Sequence, residues 1–385
     1  MILLCFLYLC WLLQLSGANE RVFEIELNKE YKELFYTNYG EHLEFSLGTP
    51  PQKFLGWLHP FIDEVLVVDK SCGIPLKDCP RLCSNENFLS IYCPVQCRNT
   101  SPQNRPTYCL SSKAIWMFGD YYDSANSTSY SDLNRPWKAQ YSGTRMLTAD
   151  YSKDSLGLTL LDNSTLTIKN FTFANGLSMD HSLFEENTGV IGVSPSSRLF
   201  IDLYNRGLIE NAVITIRPNT KSQFDDRLVV GQLDQPKFNT GFFPTINDNA
   251  WMFEFDSVHF KNHTMGTTRV LWNPHSEYTY IPTEIIDLLI EDKTFEDSGF
   301  GSYGVLCQSL DLKFQFKTKS QQMVIEYQDI GYYSPKSTFY CNGYFTATPE
   351  KRSINEPDWI IGSRFAKNYV YSYDFKKKIL GIERL

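Results

Sequence analysis

The sequence predicts an all-β chain folded as two similar lobes, on three observations. Aromatics are abundant, with 27 Phe and 23 Tyr, and they fall with Val, Ile and Thr in short runs, as strands do. A chain of 385 residues is long for a single hydrophobic core. A turn-like stretch also occurs twice, as Trp57-Leu58-His59-Pro60-Phe61 and Leu271-Trp272-Asn273-Pro274-His275. Each passes from apolar residues through a polar residue and a proline, then re-enters a β-prone run. Facing lobes would bring His59 and Asn273 to one junction.

Taken in order, residues 1–18 form an apolar run ending in Ser16-Gly17-Ala18. Small residues there fit a signal-peptidase site, with maturation near Asn19. A membrane anchor is the competing reading, but the run is short for a spanning helix. Residues 19–35 form a short charged N-terminal segment with a weak amphipathic run from Leu27. The N-terminal lobe is expected over 36–205 and the C-terminal lobe over 206–385, with no low-complexity linker between them.

Strands are expected around Leu43–Leu47 and Val65–Val68, with a Gly-Thr-Pro-Pro turn at 48–51. Residues 69–135 are the least regular, and 72–109 carry a Cys-rich insertion. A hairpin is expected at Ala139–Met146 and alternating strands over 155–175. Gly189–Val193 reads as a buried strand, and Leu199–Ile209 as a helix closed by Gly207. Strands follow at Ala212–Ile216, Arg227–Val230, Met252–Phe255, Ser257–Phe260 and Thr268–Trp272. A helix begins at Pro282 with Thr283 as its N-cap. The tail holds strands at Trp359–Ile361, Tyr369–Tyr373 and Ile379–Ile382.

Net charge is −8, without a concentrated basic face, so a nucleic-acid partner is excluded. Cys5 and Cys10 leave with the signal. Eight cysteines remain, an even number, which in a secreted chain reads as disulfides. Six crowd together, Cys72, Cys79, Cys83, Cys93, Cys97 and Cys109, and their pairing is open. Cys307 and Cys341 stand apart and remain as a pair. Zinc is the alternative for Cys79-x3-Cys83 and Cys93-x3-Cys97, but no histidine lies within the cluster, and no metal is expected. Five Asn-x-Ser/Thr sequons, at Asn99, Asn126, Asn163, Asn170 and Asn262, are glycosylation candidates.

A second repeat orders these pieces. Val190-Ile191-Gly192 follows the first turn and Ile360-Ile361-Gly362 follows the second. With Leu47-Gly48-Thr49-Pro50-Pro51, Tyr122 to Tyr130, Gln140-Tyr141-Ser142-Gly143-Thr144, Gly189 to Val193, Trp359 to Phe365 and Val370 to Gly381, the chain resembles the pepsin-like aspartic proteases from Tyr36 to its end. The resemblance implies a bilobal pepsin-like acid protease fold: two β-barrel-like lobes, a central cleft and a few short helices. It places Tyr141 in the flap over the cleft, and Cys307 and Cys341 at the family's C-terminal-lobe disulfide. Zymogens of the family carry a basic inhibitory pro-segment, of which only Val22 to Leu27 has a counterpart here.

The departures carry the functional expectation. In the family each lobe contributes Asp-Thr-Gly, and two carboxylates about 3 Å apart share one proton and activate a water. Here His59-Pro60-Phe61 and Asn273-Pro274-His275 replace both motifs. An amide does not exchange protons near neutral pH, and proline has no N–H to hold a carboxylate. His59 could act as a base, but it faces no acid from the second motif. Asp63, Glu64 and Glu277 are expected at the lobe edge. A metal or acid–base pair of His59 and His275 is the minor reading of those two histidines.

No catalytic residue or cofactor is therefore expected. The expected role is binding of a peptide or protein in or near the cleft, by a secreted monomer free of the membrane, with an endolysosomal lumen as the alternative compartment. Tyr141, Phe61, Trp272 and His275 are the ligand-contact candidates; Phe61, Trp272 and His275 could instead fill the cleft. An endopeptidase or residual hydrolase using non-standard residues, and a structural or adhesive glycoprotein, are the competing classes.

Overall fold

The computed structural model describes residues 22–27, 41–70, 121–141, 145–179, 189–218, 226–232, 241–276, 279–297, 302–306, 312–326, 331–332, 340–348 and 356–385. The first eight strands are β1 (Phe23–Glu26), β2 (His42–Leu47), β3 (Gln52–His59), β4 (Val65–Val68), β5 (Ser131–Tyr141), β6 (Arg145–Thr159), β7 (Thr165–Met179) and β8 (Gly189–Gly192). All but β1 form one seven-stranded sheet in the order β2-β3-β8-β4-β7-β6-β5. The 155–175 alternation is the β6–β7 hairpin, which pairs Leu158 with Leu166. The Ala139–Met146 hairpin pairs Tyr141 with Arg145; residues 142–144 between them lie outside the described residues.

Helix α1 (Arg198–Asn205) leaves this sheet with Leu199, Phe200 and Leu203 buried. Gly207 just beyond it takes φ +68°, a left-handed conformation that favours glycine at a helix end. The chain continues through β9 (Val213–Arg217), β10 (Arg227–Val230), β11 (Phe242–Pro244), β12 (Met252–Phe255), β13 (Ser257–Phe260), β14 (His263–Met265), β15 (Thr268–Trp272) and β16 (Thr279–Ile281). Helix α2 spans Thr283–Glu291, and Pro282 rather than Thr283 holds the N-cap position. Proline sets φ without needing to donate, so it starts a helix readily. Then come β17 (Phe295–Asp297), β18 (Ser302–Leu306), β19 (Lys313–Lys317), β20 (Gln322–Glu326), β21 (Gly331–Tyr332), β22 (Tyr340–Ala347), β23 (Trp359–Ile361), α3 (Ser363–Ala366), β24 (Tyr369–Asp374) and β25 (Ile379–Arg384).

The second half builds an eight-stranded sheet, with β12-β15-β23-β16-β22-β18-β17 in line and β21 on β22, and a four-stranded sheet, β14-β13-β19-β20. A six-stranded sheet, β1-β10-β9-β24-β25-β11, joins the two halves by taking its first strand from the N-terminus. Ile25 and Leu27 of that segment are buried. The weak helical run read from Leu27 onward lies outside the described residues after Leu27.

The repeat seen in sequence is a repeat of topology. In the first half β8 runs parallel to β3 and antiparallel to β4. In the second β23 runs parallel to β15 and antiparallel to β16. Each apolar-apolar-Gly segment thus threads between the two strands that flank a proline turn. A Cβ on Gly192 would lie 2.3 Å from the Ile62 carbonyl oxygen, so the turn can sit on this strand only because residue 192 has no side chain. Trp251 ties the halves together, its Nε1–H donating to the Val193 carbonyl at 2.7 Å.

Candidate functional site: the paired proline turns

Each turn follows the C-terminal end of a buried strand. The Val193 N–H donates to the His59 carbonyl at 2.9 Å, and the Asn273 N–H to the Ile361 carbonyl at 3.0 Å. Pro60 and Pro274 supply the fixed φ that suits the second residue of a β-turn. The turns close by Ile62 N–H to His59 carbonyl at 3.4 Å and Ser276 N–H to Asn273 carbonyl at 3.0 Å.

The same thing then happens to both leading side chains. His59 Nδ1 accepts the Phe61 N–H at 3.3 Å, and Asn273 Oδ1 accepts the His275 N–H at 3.2 Å. Each residue at the head of a turn caps the amide two positions on, as Asx turns do. The Asn273 side-chain carbonyl and the His59 ring nitrogen are both turned back onto their own loops.

Rings from both halves fill the space between. His275 stacks on Trp57 with centroids 4.3 Å apart, and the His59 ring meets the His275 ring edgewise at 5.4 Å. Trp57 also packs edgewise on His59 at 5.2 Å and stacks with His42 at 6.2 Å. Phe61 crosses the junction to pack against Ala250, Met252 and Leu271 of the other half.

This desolvated setting dictates the charge states. His59 is 1% exposed, and burial pushes its imidazole down to about 3. Burial also holds His275 well below the ordinary histidine range, helped by His59 and His42 and opposed by a hydrogen bond to the Leu58 backbone. Both rings are neutral near pH 7, so His59 has little proton affinity to offer as a base. His275 Nδ1 and Trp57 Nε1 are buried without a hydrogen-bond partner.

Glu64 corrects an expectation. Read as a lobe-edge acid, it is fully buried, because Arg198 and Tyr151 close over it. Tyr151 donates its hydroxyl to Oε1 at 2.8 Å, and Arg198 Nε sits 2.9 Å from the same oxygen. Burial outweighs both partners and pushes the carboxyl up to about 7. A raised carboxylate pKa is a mark of functional sites, but this one faces a tyrosine and an arginine of its own half. Asp63 is half-buried, and Glu277 lies outside the described residues.

Of the ligand-contact candidates, the junction brings together Phe61 and His275. Trp272 belongs to the core instead: it is 1% exposed, and its Nε1–H donates to the Tyr373 hydroxyl at 3.0 Å. Tyr141 closes β5, and its side chain is outside the described residues. So are the six clustered cysteines and Cys307; Cys341 lies on β22 opposite Val305. Asn126, Asn163, Asn170 and Asn262 are all exposed, and Asn99 lies outside the described residues. Among the described residues no group of three or more His, Cys, Asp or Glu side chains is placed to hold a metal. Sequence reasoning missed Trp57, His42, Tyr151, Arg135 and Arg198 as neighbours of the turns. Only Trp57 carried a signal, as a member of the repeated stretch.

Residues 100–385 match the family model described as eukaryotic aspartyl protease. The match begins later than the resemblance read from Tyr36, so it includes the second turn and β8 but not the first turn, whose place is given by the β3-β8-β4 pairing. No curated protein matches the chain.

Proposed function

The chain belongs to the eukaryotic aspartyl protease family, and on that premise we propose that it is a secreted member that binds a peptide or protein near the interlobe junction without cutting it. One observation carries the reading: the residues heading the two turns, His59 and Asn273, both spend their acceptor atoms on their own loops. The family's chemistry needs two groups that trade a proton across a water. A neutral, buried imidazole and an amide supply neither the acid nor the base. The stacked rings at the junction further oppose a water and a scissile bond at that point.

Purified protein incubated with a denatured protein substrate from about pH 2 to 7 is expected to leave it intact. Pepstatin-sensitive cleavage would sink the proposal. The double variant His59→Asp, Asn273→Asp is expected to stay inactive, because Pro60 and Pro274 still lack the N–H groups that would hold a carboxylate pair. Recovery of cleavage would show that the turns tolerate the chemistry. The leading apolar run supports passage through the secretory route, and the exposed sequons make glycan attachment reachable. N-terminal sequencing and a glycosidase-dependent mass shift of protein from eukaryotic cells test both.

A further inference from the structure

Beside the first turn, two guanidinium groups converge on one tyrosine. Arg135 lies opposite Tyr151 in the β5–β6 ladder, and its guanidinium carbon sits 4.0 Å from the ring centroid. That of Arg198 lies 5.3 Å from the same centroid. Arg198 opens α1, and its N–H donates to the Asp63 carbonyl at 2.8 Å, which fixes the helix start to the turn.

The pair is only partly neutralised. Glu64 Oε1 meets Arg198 at Nε, 2.9 Å away, and the Arg198 side chain remains 50% exposed. Its two Nη nitrogens, and all those of the exposed Arg135, have no acceptor among the described residues. The Asp63 carboxylate lies near enough to raise Glu64, yet among the described residues it bonds neither guanidinium. Glu64 Oε2 is buried without a partner. In a chain of net charge −8, two guanidiniums within 4.0 and 5.3 Å of one ring centroid form a local excess of positive charge. Guanidinium forks match a carboxylate or phosphate in bidentate geometry.

We propose that Arg135 and Arg198 form an anion-binding site that takes a carboxylate of an acidic peptide lying along the junction. The Nη pair of Arg198, steadied through Nε by Glu64, grips the carboxylate, and Arg135, spread over Tyr151, closes from the other strand. The assignment rests on the peptide-binding reading above and gives that ligand a charge.

The test titrates the full-length protein, by calorimetry at pH 7, with hexaglutamate, hexaglutamine and inorganic phosphate. Hexaglutamate is expected to bind, hexaglutamine at least about tenfold more weakly, and Arg198→Gln and Arg135→Gln each to weaken hexaglutamate about tenfold. Glu64→Gln, which keeps the shape and removes a competing charge, is expected to tighten it. Hexaglutamate affinity should also fall as salt rises; for the unaltered protein this reading needs no variant to fold. Equal affinity for the two peptides, or no salt dependence, overturns the site. Phosphate binding that needs the arginines, without hexaglutamate binding, overturns the peptide assignment in favour of a free anion. Mass spectrometry of the recovered peptide separates the two proposals: a cut peptide ends the non-cutting reading and leaves the arginine dependence standing.

Discussion

At the scale of single residues, the heads of the two turns serve local structure. If Asn273 Oδ1 caps the His275 N–H, then Asn273→Ala should cost about 1 kcal/mol, the worth of one such hydrogen bond. Asn273→Asp keeps the acceptor and should cost much less. Chemical denaturation of the two variants checks this, and equal losses would remove the capping role. Gly192→Ala is the harsher change, because the new methyl meets backbone, the Ile62 carbonyl at 2.3 Å and its carbon at 2.6 Å. A loss of about 3 kcal/mol is expected, as for overpacking that the backbone must absorb. The identity of both turn residues was readable from sequence. The direction of Trp272 was not: adjacency to Asn273 suggested the cleft, but the pleat of β15 sends that side chain into the core.

At the scale of elements, β1 is informative. It contributes four residues to a sheet whose other strands come from residue 213 onward, pairing Ile25 with Leu228 and Phe23 with Val230. Ile25 is 2% exposed, so Ile25→Ala should destabilise by about 3 kcal/mol. A surface segment that merely lay on the sheet would lose a few tenths, and a urea titration distinguishes the two. The short run Val22 to Leu27 was visible in sequence, yet its strand character was not. Its partner lies about two hundred positions away, and an edge strand is specified by what it pairs with more than by its own residues. The β6–β7 hairpin was the opposite case, since its alternation and its partner sit side by side in the chain.

For the whole molecule, buried titratable groups of opposite type set the pH response. His59 falls from an ordinary 6.5 to about 3, and His275 also lies well below its ordinary value. Unfolded, both bind a proton more readily, so each loses folding stability as pH drops below about 6.5. Glu41, buried and accepting the Tyr371 hydroxyl at 2.8 Å, is raised by burial from 4.5 to about 7, as is Glu64. Folded, these carboxyls hold their protons longer, so each adds stability as pH drops from about 7 to 4.5. Two groups against two leave stability nearly level between about pH 4.5 and 6.5. Below that these carboxyls no longer offset the histidines, and stability should fall by about 1.4 kcal/mol per pH unit for His59 down to about pH 3, with His275 adding to the loss. Denaturation midpoints from pH 3 to 7 test the shape. A further rise below pH 4.5 would mean that the two imidazoles are hydrated.

The sequence by itself determined the fold class, the doubled architecture and the identity of the residues heading the two turns, His59 and Asn273. Those properties are written in local pattern: alternation, glycine and proline placement, and residue identity at a repeated motif. Only the tertiary structure decided what those residues do. That Oδ1 and Nδ1 bend back onto their own turns, that His275 stacks on Trp57 from the other half, and that Glu64 is sealed beneath Arg198 and Tyr151 all depend on contacts between segments far apart in the chain. Burial, which sets the charge of each of these groups, is a property of the assembled lobes.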